Sequence, residues 1–276
     1  MVKINKETIK YYQNIAKEIK QFILNVAYQS QAHHLGSFFS AIDLLTVLYF
    51  RNLKINSKKL KDHNRDRFIL SKGHAGLAFY SVLAKRGFFS EKELIDNYGR
   101  DGGKLGVHPD KDSLPGIEVT TGSLGHGLSI GVGLALTAKI DKLSYRTFVM
   151  LGDGECNEGS IWEAIMFSSQ HKLDNLVVIL DYNHLQGFGR AEEVINLAPM
   201  TDKWRAFGWQ VKQIDGHNFK EIISAFDVIP FKKNKPNVII ANTIKGKGIS
   251  FLEDKLESHY KKINKEELEI ALKELK

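Results

Sequence analysis

Three carboxylates and three glycines share one short stretch, LGDGECNEG, from Leu151 to Gly159. Glycines between an apolar strand and a helix favour a loop that cradles phosphate. Asp153, Glu155 and Glu158 oppose that reading, because like charges 4 Å apart repel by about 4 kcal/mol at an effective dielectric of 20. A second polar group, Asn183, leaves the end of the next apolar run in LDYNHLQGFG. A carboxylate, an amide oxygen and a backbone carbonyl are hard ligands that suit magnesium or calcium, with phosphate oxygens or water completing the shell. A cation between carboxylate and phosphate would turn repulsion into bridging. Taken singly, Asp153 reads equally as a helix cap and Asn183 as a turn residue.

The elements that must hold these groups follow from periodicity. Ile9, Tyr12, Ile15, Ile19, Phe22, Ile23 and Val26 recur at spacings of three and four, which predicts an amphipathic first helix. A second helix is expected from about Ser40 to Phe50, with Ser40 as its N-cap. Short β-type runs then recur at 67–71, 146–151, 176–180, 209–214 and 237–243. Helical patterns separate them near 75–85, 125–139, 159–171 and 218–227, and Ser90 with Glu93 forms a capping box for another. The alternation predicts an α/β fold: an open, mostly parallel sheet with helices on both faces. In such sheets ligands sit beyond the carboxyl ends of the strands, where Asp153 and Asn183 fall. Neighbouring strands lie about 5 Å apart, so both side chains can reach one ion.

The chain has 276 residues, 43% hydrophobic and 26% charged, enough for a substantial core. With five prolines, no repeat and no low-complexity linker, a single domain over residues 1–276 is expected, closed by a polar helix at about 262–276. No apolar run has the length of a membrane span, and the first ten residues lack the apolar core of a secretory signal. Cys156 is the only cysteine, which excludes an internal disulfide and suits a reducing cytoplasm. The net charge of +7 comes from scattered lysines without interleaved aromatics, so neither nucleic acid nor membrane is expected as a partner. None of the ten histidines lies in a His-Glu-x-x-His zinc pattern. In the run GLSIGVGLALTA, Gly131 and Gly133 read as permitting close helix packing.

GDG followed, after 28 residues, by a strand-ending asparagine resembles the signature of thiamine diphosphate enzymes. The likeness extends through AHHLGS (32–37), LSKGHA (70–75), LGVHPD (105–110), TTGSLGHG (120–127), LGDGECNEGSIWEA (151–164), LDYN (180–183) and TIKGKGISFLEDKLESHY (243–260). In this order they resemble the N-terminal, diphosphate-binding part of transketolase. The resemblance implies transfer of a two-carbon ketol unit between phosphorylated sugars, as in the pentose phosphate pathway. It implies thiamine diphosphate and Mg²⁺ as cofactors, with Ca²⁺ or Mn²⁺ as substitutes.

Carried over by position, the resemblance makes Asp153, Asn183 and the backbone carbonyl of Leu185 metal ligands. Ser37, His74, Gly154, Glu155, Asn183 and Lys245 fall around the cofactor, as does the segment Gly122–Ser123–Leu124. Lys245 taken alone is equally a solvated turn lysine. For Glu155 itself, no role emerges beyond helix-start electrostatics or a backbone contact near phosphate. His34, His74, His108 and His259 match the histidines of the substrate channel. His34 and His259 are expected to handle protons, His74 and His108 to orient hydroxyls, because imidazole titrates near neutrality without special tuning. Glu158 and Glu163 match acidic residues near the family's subunit contact. The remaining histidines, His217 among them, read as packed or surface groups.

The glutamate that holds the aminopyrimidine ring belongs to a second domain in transketolases, and nothing in this sequence matches it. The resemblance therefore implies a separately encoded C-terminal partner carrying the pyrimidine-binding domain. Two copies of each chain, with a contact between like chains, would then form a heterotetramer acting on sugar phosphates. Competing readings are the diphosphate-binding subunit of a 2-oxo-acid dehydrogenase, a piece of a deoxyxylulose-phosphate synthase, an unusual-sugar ketol transferase, and a non-catalytic cofactor-binding module. One departure stands out: Ser258 precedes His259 where the family commonly has an aromatic residue.

Overall fold

A computed structural model describes residues 4–276; the first three residues of the domain expected over 1–276 lie outside it. Five strands, β1 (Arg67–Leu70), β2 (Thr147–Gly152), β3 (Leu176–Tyr182), β4 (Gln210–Asp215) and β5 (Asn237–Asn242), form one sheet in the order β1-β2-β3-β5-β4. All four pairings are parallel, as the alternating sequence pattern predicts.

The apolar strands divide their side chains with period two. Phe148, Met150, Val177, Ile179 and Ile239 join one core; Val149, Leu151, Val178, Leu180, Val238 and Ile240 join the other. The first core is covered by α1 (Lys6–Ser30), α2 (Leu35–Val47) and α3 (Gly76–Lys85), with the short α4 (Glu91–Asn97) against α3. The second is covered by α5 (His126–Ile140) and α6 (Gly159–Gln170). Beyond β3 come a single turn, α7 (Ala191–Val194), and α8 (Met200–Ala206), whose Trp204 is buried in the second core. The last helices, α9 (Phe219–Asp227) and α10 (Lys265–Glu274), return to the first core.

Three local expectations need correction. The second helix begins at Leu35, not Ser40, and runs into a π-helical turn at Leu48–Asn52. Every residue of α2 is buried, so no polar face marks where it starts, and the Ser40 hydroxyl donates to Asp181 instead of capping. Ser90 accepts from the Glu93 amide, the one half of the capping box among the described hydrogen bonds. Gly131 does permit close packing, since a Cβ there would come within 2.5 Å of Val149 Cγ2, but Gly133 meets nothing within 4 Å. Neither α7 nor α8 was visible as a periodic pattern. Among the described residues no helix is long and apolar enough to cross a membrane.

Candidate active site

Gly152 pairs with Asp181 in the ladder between β2 and β3, so the two chains leave the sheet side by side. Asp153 and Asn183 are therefore brought together at the carboxyl edge, as the strand pattern predicts. Asp153 is 5% exposed and Asn183 6%. The Asp153 carboxylate accepts from the Gly154 amide at 2.7 Å and the His184 amide at 2.6 Å. Asn183 Oδ1 accepts from the Leu185 amide at 3.1 Å, which curls the turn. Both residues line a cleft of about 400 Å³, with Ser37, His74, Leu124, Glu158, Leu185, Lys245 and His259.

Two features of the cleft escaped sequence reasoning. Lys72 and Asp181, 1% and 0% exposed, form a buried ion pair at the cleft floor. Asp181 also accepts from Ser40 Oγ at 2.6 Å and from the Thr243 hydroxyl. Burial acts to raise the Asp181 carboxyl, but the Lys72 ammonium overrides it and holds the group below the usual carboxylate range. The available signal was a charged residue inside the otherwise apolar strand LVVILDY, because a buried aspartate needs a partner.

The bracing role of the Glu155 side chain is the second such feature. Its carboxylate faces the protein: it accepts from the Ser71 hydroxyl, the Gly125 amide at 3.0 Å and the Gly152 amide at 3.2 Å. It thus braces the end of β1, the turn before α5 and the glycine turn against one another, so the side chain is used up within the protein. Burial raises its pKa, and these hydrogen bonds counter that.

Three of the four selected histidines cluster. Ring centroids are 4.8 Å apart for His34–His259, 5.4 Å for His34–His74 and 5.6 Å for His74–His259. His34 stands at the start of α2 with φ of 69°, and its amide donates to the His259 carbonyl at 2.9 Å. His108 is exposed and lies outside this ring cluster, although its charge is felt at His34. It packs instead against the predicted cofactor segment, since a Cβ on Gly122 would come within 3.2 Å of its ring. Ser123 is exposed and Leu124 lines the cleft.

His34, His74 and His259 are held below neutrality, contrary to the expectation above. Burial, then His33, His108 and Lys245, push His34 down to about 4. Burial, then Lys245 and His34, push His259 down to about 3, and His74 falls well below its usual value for the same reasons, with Lys72 its nearest cationic cause. Lys245 is itself lowered to about 8, chiefly by burial and then by Lys72. Its ammonium donates to the Leu185 carbonyl at 2.9 Å and to His259 Nδ1 at 2.7 Å. The lysine assigns the tautomer: His259 Nδ1 accepts, so the proton sits on Nε2.

The serine before His259 has a steric explanation. Ser258 is fully buried against α2, where a Cβ on Gly36 would lie 2.3 Å from Ser258 Oγ and 2.7 Å from Lys245 Cγ. Gly36 and Ser258 are small together, and their close approach seats the His259 strap on α2. An aromatic ring at 258 has no room here.

The donor set fits a divalent cation bridged to phosphate. Asp153 is a buried carboxylate with no ion pair among the described residues, and burial holds its pKa up. One carboxylate, one amide and one carbonyl leave coordination sites for external oxygens. Among the described residues no cluster of three or more His, Cys, Asp or Glu could hold a metal by itself. Glu158 lies exposed at the cleft rim. Glu163, also exposed, borders a separate groove between α5 and α6 with Val132, Gly133, Leu136 and Phe167.

A parallel α/β sheet with a glycine–aspartate turn, a strand-ending asparagine and an imidazole cluster at its carboxyl edge defines a diphosphate-cofactor domain. Residues 11–275 match the family described as transketolase, thiamine diphosphate binding domain, and the chain belongs to that family. It is 45% identical to an apulose-4-phosphate transketolase subunit of Phocaeicola vulgatus, over 92% of this chain and 89% of that protein. It is 44% identical to the 6-deoxy-6-sulfo-D-fructose transketolase subunit SqwG of Clostridium sp. strain MSTE9, over 95% of each. Among solved structures, transketolase from Leishmania mexicana superposes with a TM-score of 0.88 at 26% identity, covering 94% of this chain and 40% of that one. The chain thus spans nearly the whole of the subunit relatives but about 40% of that single-chain transketolase.

Proposed function

We propose that this chain is the diphosphate-binding subunit of a two-chain transketolase. The observation that carries the reading is the convergence of Asp153, Asn183 and Leu185 in one cleft with His74 and His259, whose rings pack against His34. Coverage of about nine-tenths or more of two relatives named as transketolase subunits supports the two-chain form. A C-terminal partner would supply the pyrimidine-binding domain. The expected assembly holds two copies of each chain, with Glu158 and Glu163 near the contacts, in the cytoplasm.

In this reading Asp153, Asn183 and the Leu185 carbonyl would hold Mg²⁺, and Ser37, Gly154, Lys72 and Lys245 would line the diphosphate site. Thiamine diphosphate supplies the electron sink for carbon–carbon cleavage. The chain's own residues bind, orient and move protons. His259, with Nδ1 committed to Lys245, offers Nε2–H as a donor to a substrate oxygen. His34, whose ring packs against both His74 and His259, is the candidate to accept a hydroxyl proton. His74 would orient the ketol hydroxyls between them, with His108 as the further candidate beside Gly122.

The test is ketol transfer by the reconstituted pair with Mg²⁺ and thiamine diphosphate, over a panel of sugar phosphates. Ketose donors should be turned over only with both chains present, and His259→Ala should lose most activity. The names of the two subunit relatives favour a second reading on substrate alone, an unusual anionic sugar as donor or acceptor. Preference for such a sugar over common pentose and hexose phosphates would select it.

A further inference from the structure

Two buried polar atoms in the cleft have no partner among the described residues: Gln186 Nε2 and Asn157 Oδ1. Both residues line the cleft beside Asp153 and the smaller recess behind it. Buried donors and acceptors are nearly always paired, so an orphan at a site points to something outside the chain.

The main chain around both residues is fixed. The Gln186 amide donates to the Gly189 carbonyl at 2.9 Å, and Leu185 bridges to Arg190 across the same turn. Arg190 is clamped to Asp254 by two bonds of 2.6 and 2.7 Å. The Gln186 side chain lies over Gly154, where a Cβ would come within 2.9 Å of Gln186 Cγ and 3.0 Å of Cδ. The second glycine of the GDG turn therefore admits the glutamine. Asn157 follows Cys156, whose carbonyl is held by Trp162 Nε1 at 2.8 Å.

The two orphans have opposite polarity, and this narrows the ligand. A bare phosphate satisfies the Gln186 donor and leaves the Asn157 acceptor empty. A hydrated cation alone does the reverse. A cation-bound diphosphate presents anionic oxygens and metal-bound water together. We propose that Gln186 and Asn157 form an outer clasp on that pair: Gln186 Nε2 donates to a diphosphate oxygen, and Asn157 Oδ1 accepts from water on the cation. This rests on the thiamine diphosphate reading of the cleft and adds two residues to it.

The test is calorimetric titration of the purified two-chain complex with Mg–thiamine diphosphate and, separately, with Mg–pyrophosphate. Gln186→Met keeps the length and removes the amide. It should weaken both ligands roughly tenfold to a hundredfold, the range for a hydrogen bond to a charged group. The ligand-free complex should melt at the same temperature or higher, because the substitution removes a buried orphan. Asn157→Leu should weaken both ligands by about two- to tenfold, again without loss of ligand-free stability. Unchanged affinity in Gln186→Met would overturn the proposal. Loss for thiamine diphosphate but not pyrophosphate would also overturn it, by placing the amide against the organic part of the cofactor. Lowered melting of the ligand-free variant would make Gln186 structural and overturn it likewise. A wild-type complex that binds neither ligand would overturn the cofactor reading itself, and this inference with it.

Discussion

The two ends of the sheet treat buried carboxylates in opposite ways. At the amino end, Asp66 is fully buried and fully engaged. It accepts from the Lys54 amide at 2.9 Å, the Arg146 amide at 2.8 Å, and the Arg146 guanidinium at 2.6 and 3.2 Å. That network ties the loop after α2 to the starts of β1 and β2. At the carboxyl end, Asp153 is almost as buried but takes only two backbone amides, and burial raises its pKa. Near it stand a Gln186 Nε2 with no partner among the described residues and three imidazoles whose pKa values are held down, chiefly by burial. One end is closed by the chain alone, and the other is left for a ligand to complete. Stability and function therefore separate along the strands.

The largest effect should come from breaking the closed end. Asp66→Ala strands a mostly buried guanidinium and should lower unfolding free energy by about 3–5 kcal/mol, read by denaturant melting, with cofactor affinity of the folded fraction unchanged. The open end should respond in the reverse sense. Asp153→Asn should weaken Mg²⁺-dependent thiamine diphosphate binding by about a hundredfold or more, while ligand-free stability at pH 7 stays equal or rises by about 1 kcal/mol. Ser258→Trp tests the seat of His259 beside Gly36. Overpacking should cost roughly 1–3 kcal/mol, and turnover should fall more than substrate affinity as His259 is displaced.

The smallest effect is a pH dependence. His34 is lowered to about 4 in the folded chain against an ordinary value of 6.5, so between those values the unfolded chain binds more protons. The His34 share of ligand-free stability, discounted for its partial exposure, should therefore fall by about 1–2 kcal/mol as pH drops from 6.5 to 4, and His34→Asn should remove that share of the slope. A loss of stability on raising pH through the same window would contradict the shift.

Legibility in the sequence followed the same division. The five strands and their parallel direction could be read from the alternation of β-type and helical runs, and the two central strands are apolar throughout because both faces of the sheet are covered. The Asp153–Asn183 convergence could be read because it needs only two strand ends and their adjacency. The start of α2 could not, because a helix buried on every side carries no amphipathic mark. The inward turn of Glu155 and the Lys72–Asp181 pair were equally hidden. Each depends on partners 25 or more residues away, such as Ser71, Gly125 and Thr243, which no local spacing announces. The neutral imidazoles belong to the same class, since burial and a neighbouring ammonium set their titration. Ser258 read as an irregularity until Gly36 was seen beneath it.

The central claim is that the carboxyl-edge cleft is half of a thiamine diphosphate site. Its most direct test is ketol transfer with Mg²⁺ and thiamine diphosphate, by this chain alone and after addition of the chain that co-purifies with it. No turnover is expected from this chain alone, and activity should saturate at one partner per chain. Substantial turnover by this chain without its partner would contradict the claim.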